Sequence, residues 1–153
     1  MIRLVVAAVL TVATLSAALP AVDDARATRT DADLAGSIDR IERAGRSLAT
    51  SEDATPTRAY AATRRVAFRT PDASLTTARP AFVAVGGRPG GPGNRSVVAY
   101  AVGTSPTRLR GVSLPIPVST PDGPVVFTAP GRHAVDVALV RDGGRPTLVV
   151  TRG

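Results

Sequence analysis

The sequence predicts an α+β protein: an amino-terminal transmembrane helix continuing into a charged amphipathic helix, then an antiparallel β-meander or small sandwich. Three observations predict it. Leu4 to Val22 is a run of nineteen residues with no charge, in which only Thr11, Thr14 and Ser16 carry polar side chains. Residues 27–48 repeat their apolar side chains at helical spacing. Beyond residue 53 come twelve of the thirteen prolines and most of the glycines, punctuating short valine-rich segments.

At about 1.5 Å per residue the first run covers roughly 28 Å as a helix, enough for the hydrocarbon core of a bilayer. Residues 1–22 are therefore read as an anchor or signal segment that meets membrane lipid through residues 4–22. Arg3 gives a short positive flank, and Asp23 and Asp24 are the first charges after the run. This favours an amino terminus inside and the remaining chain outside the cytoplasm, although Arg26 and Arg29 follow soon after. Small residues at Ser16-Ala17-Ala18 and Ala25-Arg26-Ala27 offer signal-peptidase spacing, so a cleaved signal is the competing reading. The run exceeds the length usual for a cleaved segment, which favours a retained, single-pass anchor. No cysteine follows it, which excludes a lipoprotein.

Residues 23–53 read as a helical stalk. Leu34, Ile38, Ile41, Gly45 and Leu48 are spaced by four, three, four and three, and Ala27 lies one heptad before Leu34. Charged residues cover the other faces, with Asp39 before Arg43 and Glu42 before Arg46 in the favourable acid-first order. A break near Thr28 would let Thr30 and Asp33 start a new helix with a weak capping box. The stripe spans barely two heptads, a length better suited to packing on its own domain than to a coiled coil with another chain. Leu34, Ile38, Ile41 and Leu48 are the residues through which the helix would make contact. Thr55-Pro56 ends it.

Residues 54–153 hold the candidate strands Arg64–Arg69, Ala81–Val85, Ser96–Val102, Leu109–Val118, Val125–Thr128, His133–Val140 and Thr147–Thr151. Asp142-Gly143-Gly144 is a short hairpin signal. In His133–Val140 alternation puts Asp136 on the solvent face. Pro115 and Pro117 leave one side of their strand without donors, so that strand is expected at an edge or a bulge. The Gly/Pro-rich loop 86–94 is expected to be mobile.

Nineteen arginines and no lysine, with ten of the twelve acids aspartate, match the codon bias of a high-GC genome. The charge is uneven. Residues 22–53 carry five arginines against eight acids, net −3, whereas residues 54–153 carry thirteen against four, net +9. A basic outer domain on an acidic stalk points either to an anionic partner or to dispersed solubilising charge. Arg64, Arg65, Arg69, Arg108 and Arg110 are the candidate basic surface. Three Phe, two Tyr and no Trp leave little for stacking bases, which argues against nucleic acid.

No catalytic constellation stands out, and the expectation is a protein that is not an enzyme, without cofactor, metal or small-molecule substrate. With no cysteine there are neither disulfides nor thiolate metal sites. His133, the single histidine, has no metal-ligand pattern around it. No G-x-S-x-G occurs, and nothing marks Asp122 and Asp136 as an acid/base pair. Gly86-Gly87-Arg88-Pro89-Gly90-Gly91-Pro92-Gly93 lacks the G-K-[ST] ending of a phosphate loop, and its prolines remove amide donors. Asn94-Arg95-Ser96 is an N-glycosylation sequon in an exposed position of an exported domain.

Pro20-Ala21-Val22-Asp23-Asp24-Ala25-Arg26, Asp39-Arg40-Ile41-Glu42-Arg43-Ala44, Leu114-Pro115-Ile116-Pro117-Val118 and the tail from Leu139 to Val150 carry a further observation. In these segments the chain resembles a family of haloarchaeal membrane-anchored proteins encoded with type IV pilus-like machinery. The resemblance implies a location at the membrane and association with a pilus or secretion apparatus, and implies no activity. An apolar helix leading through a charged helix into a β-domain is also the layout of pilins and pseudopilins. No glycine precedes the apolar run as a prepilin peptidase would require.

The sequence is thus read as a non-catalytic, membrane-anchored extracytoplasmic protein, an accessory or minor pilin-like component of a surface appendage or secretion system with protein partners in a membrane assembly. The alternatives are a cleaved, secreted β-domain that binds an anionic surface polymer, and a hydrolase with an unrecognised Ser or Asp site, which would need His133 within hydrogen-bond reach of a serine and a carboxylate.

Overall fold

The computed structural model describes residues 2–153. Helix α1 (Ile2–Ser51) runs without a break for 50 residues, about 75 Å. Pro20 lies inside it and removes one backbone donor without interrupting it. The break considered near Thr28 does not occur. Thr30 does not cap a helix; its hydroxyl is engaged by the chain at Ala78, far away in sequence.

The two halves of α1 differ completely in their surroundings. Its apolar amino-terminal window is wholly exposed, and by length and composition it is the one helix among the described residues that could cross a membrane. Thr11 and Thr14 direct their hydroxyls to the carbonyls of Ala7 and Leu10, at 2.8 and 2.7 Å, so neither leaves an unpaired donor on that surface. The second half buries Thr30, Leu34, Ser37, Ile38, Ile41, Gly45 and Leu48 along one face.

That face packs on two four-stranded sheets. The strands are β1 (Thr63–Thr70), β2 (Pro80–Val85), β3 (Val97–Val102), β4 (Arg108–Gly111), β5 (Val118–Ser119), β6 (Val125–Phe127), β7 (Gly131–Asp142) and β8 (Arg145–Arg152). One sheet has the order β1-β7-β8-β5 and the other β4-β3-β2-β6. This is the sandwich form of the expected β-domain. Phe68 on β1 and Phe127 on β6 join the sheets edge to face, with ring centroids 5.1 Å apart. Helix α1 touches β1, β7 and β8 of the first sheet and β3 of the second, so its stripe completes a core shared by both. Gly45 lets Leu148 of β8 and Leu114 approach the helix backbone closely.

The strand expected over Leu109–Val118 divides into two. Its start is β4, an edge of one sheet, and its end is β5, an edge of the other and parallel to β8. Pro115 and Pro117 explain the division, because a ladder needs donors they lack; the Pro117 carbonyl still accepts from Leu148 N–H at 2.9 Å. Gly143 and Gly144 form the two-residue turn between β7 and β8, with φ of +55° and +81°. Along β7 the inner set Val135, Val137 and Leu139 is buried, and Asp136 faces outward as expected.

Candidate functional site

The outer face of the β1–β7 pair is the most chemically distinctive surface of the domain. Register places Arg65 opposite Asp136, Ala67 opposite Ala134 and Arg69 opposite Arg132. The first pair is a two-pronged salt bridge, with Arg65 Nε and Nη2 donating to Asp136 Oδ1 and Oδ2 at 2.8 and 2.9 Å. These hydrogen bonds hold the Asp136 carboxyl below the usual range; partial burial opposes them, and the charges of Arg65 and Arg58 add to the lowering. The third pair is the opposite case. Arg69 and Arg132 are like charges directly across a ladder, an arrangement that repels.

Helix α1 brings a third arginine to the same place. Arg40, Ala67, Phe68, Arg69 and Arg132 line an open cleft of about 440 Å³. Among the described residues none of these three guanidinium groups is in an ion pair, and Arg40 is engaged only with the Ser37 hydroxyl, at 3.0 Å. Three cations line the cleft with Ala67 and Phe68, and no acid among the described residues lines it. Such a cleft attracts a carboxylate, phosphate or sulfate group, which guanidinium forks bind with two parallel hydrogen bonds.

The other basic residues singled out in the sequence are placed differently. Arg108 and Arg110 on β4 meet Asp31 and Asp39 of α1, the second pair at 2.9 Å. Arg64 meets Glu52 at 3.3 Å and Arg65 meets Asp136. The acidic stalk and basic domain therefore answer each other within the chain, and of the five only Arg69 lacks an ion pair. Arg40 and Arg132 escaped the sequence reading. Arg132 is brought there by the β1–β7 register, a pairing of segments some seventy residues apart, and Arg40 by the packing of α1 on β1, neither of which a local pattern encodes.

The stripe residues Leu34, Ile38, Ile41 and Leu48 are 0–7 % exposed, in the chain's own core. They are used within the domain and present no face to a second chain. His133 Nε2 lies 2.8 Å from the Ala129 carbonyl, and its ring packs beside Phe68 and Phe127.

Loop 86–94, expected to be mobile, is tied at several points. Gly86 N–H donates to Val97 and Arg95 N–H to the Gly86 carbonyl. Asn94, in the left-handed region at φ +61°, donates its N–H to Thr120 Oγ1 at 2.9 Å, and its Oδ1 accepts from Thr120 N–H at 2.7 Å. Gly86 and Gly93 are required there, since a Cβ on either would fall 2.4 Å from the Thr120 side chain. The glycines serve packing. Asn94 stays exposed, with its amide oxygen already committed to the fold.

No curated protein and no solved structure matches the chain. One family model does, described as a domain of unknown function, DUF7311, and it covers residues 1–153. That description assigns neither an activity nor a pilus. The chain belongs to the DUF7311 family along its whole length.

Proposed function

We propose that the protein is a non-catalytic, single-pass membrane protein that holds its β-domain outside the cytoplasm, as an accessory or minor pilin-like component of a surface appendage or secretion system. The observation that carries this reading is the division of α1. One continuous helix is bare and apolar over its first half and is built into a β-sandwich over its second. A helix that spent its apolar half on its own domain would have no reason to leave that half uncovered. Lipid, or the matching helices of an assembly drawn from lipid, supplies the missing cover. The layout is that of pilins, and the short segments similar to pilus-linked membrane proteins point the same way.

The test is removal from the native cells. Loss of the chain should reduce surface appendages counted by electron microscopy, or reduce secreted protein, and the full-length chain should restore them. A charged substitution in the bare half, Val9→Arg, should fail to restore them. Unchanged appendages and secretion in cells without the chain would contradict the reading.

A second reading is favoured by the Arg40–Arg69–Arg132 cleft: a cleaved, secreted domain that binds an anionic surface polymer. Cleavage after Ala27 would leave Thr30 and the entire buried stripe in place. Binding of the polymer should then weaken steeply with salt and be lost in Arg69→Ser together with Arg132→Ser. Salt-insensitive binding counts against it.

A further inference from the structure

We propose that the loop 71–79 is a membrane-seating foot, with Leu75 entering the interfacial layer of the bilayer beside the point where α1 leaves it. The proposal rests on the anchor reading of residues 4–22 and adds a second, independent contact between the domain and the membrane. Leu75 is 85 % exposed, the most exposed large apolar side chain among the described residues. An isolated exposed leucine is ordinary. This one is held in a particular place.

The loop is stiffened from within. Ser74 N–H donates to the Thr77 carbonyl, and Thr76 and Thr77 N–H both donate to Ser74 Oγ. Thr77 Oγ1 donates to the Asp72 carbonyl at 2.9 Å. It is also fastened to α1 twice. Thr30, fully buried, donates its hydroxyl to the Ala78 carbonyl at 2.8 Å and accepts from Ala78 N–H at 3.1 Å. One turn nearer the amino terminus, Arg26 Nε donates to the Leu75 carbonyl at 2.9 Å. Short hydroxyl-rich connections usually turn back to their domain; this one reaches along the helix toward the apolar half.

Helix geometry sets the depth. With Leu4–Val22 filling the hydrocarbon core, Arg26 stands four residues outside it, about 6 Å along the axis. The head-group layer adds roughly 5–8 Å on each side of a 30 Å core. Leu75, bonded to Arg26, is therefore at head-group depth. Beside it an open groove of about 600 Å³ is lined by Val22, Ala25 and Ala32, which continue the apolar surface of the anchor, and by Arg26 and Arg29 with Thr28 and Thr76. Charge at this level has no positive excess to draw anionic head groups: Arg26 pairs with Asp23 at 3.1 Å, and with Asp24, Arg29 and Asp72 nearby in sequence the count is three acids against two arginines. The contact is thus apolar, and its partner is the boundary between head groups and acyl chains, whatever the head-group charge.

The chain has no cysteine, so single-cysteine spin labels report one position each. The full-length protein carrying Leu75→Cys, Tyr60→Cys or Val12→Cys would be labelled and reconstituted at high dilution in phosphatidylcholine vesicles. Collision with oxygen is then compared with collision with a water-soluble nickel complex. Position 12 should read hydrocarbon, and position 60, at the far end of the stalk, should read water. Position 75 should favour oxygen several-fold over position 60, equally with and without phosphatidylglycerol. A watery position 75 beside a hydrocarbon position 12 overturns the foot and leaves the anchor standing. A watery position 12 overturns the anchor, and the foot with it. Protection of position 75 only at high protein density assigns the groove to a second copy, and protection only with phosphatidylglycerol assigns the contact to charge; either result overturns the proposal.

Discussion

Thr120 is 2 % exposed and holds Asn94 by two reciprocal hydrogen bonds, while Gly86 and Gly93 close over its side chain. Thr120→Ala would leave the Asn94 N–H without its acceptor and a small void between two glycines. It should cost about 1–3 kcal/mol by chemical denaturation, with faster amide exchange confined to the loop 86–94. Asp136 makes a prediction with a defined sign. Its carboxyl titrates below the unfolded value because Arg65 binds the charged form. The stabilisation is therefore complete above the unfolded carboxylate range and is lost as pH falls through the lower folded value. Asp136→Asn should therefore lower stability most at neutral pH and least in acid, where the parent has already lost the contribution, so that the acid limb below about pH 4 becomes flatter. Phe127, 2 % exposed, meets Phe68, His133 and the Arg152 guanidinium, which sits 4.6 Å above its ring. Three partners on one ring explain why so short a strand as β6 stays in place.

At the scale of elements, α1 is the piece on which everything else depends. Leu34 and Leu48 are almost fully buried at the two ends of its stripe. Leu34→Ala and Leu48→Ala should each cost about 2–5 kcal/mol in thermal or chemical unfolding, as cavities in a shared core. Arg110→Ser, at an exposed ion pair to Asp39, should change stability little. The helix and most strands were legible because their signals are local: the spacing of Leu34, Ile38, Ile41 and Leu48, the Asp142-Gly143-Gly144 turn, and the alternation along β7. What was not legible is long-range. Nothing near Leu109–Val118 tells that the chain changes sheets there, because proline marks where a ladder fails and not where the chain goes next. The Arg69–Arg132 opposition and the Thr30–Ala78 clamp likewise exist only through pairings decided by the whole core. In the loop 86–94 the glycine content alone does not reveal that Gly86 and Gly93 make room for Thr120, a residue beyond the loop in sequence.

At the scale of the molecule, among the described residues those from Ile2 to Ala21 and the β-sandwich have no packing in common, since the apolar window is bare. Removal of residues 2–22 should therefore leave the melting temperature of the domain nearly unchanged while abolishing the need for detergent, a pair of outcomes checked by circular dichroism and sedimentation. A fall in melting temperature would mean that the first half supports the fold after all. The charge asymmetry also changes meaning at this scale. Of Arg64, Arg65, Arg69, Arg108 and Arg110, four are matched by acids of the same chain, and the fifth, Arg69, lines one cleft with Arg40 and Arg132. We propose above all that the apolar half of α1 is a retained membrane anchor. Its most direct test is the intact mass of the chain from native membranes, taken with its partitioning in alkaline carbonate and in detergent. Full-length protein, 15.6 kDa, released only by detergent is the predicted result. A soluble chain whose mass begins at Leu19 or Thr28 would contradict it.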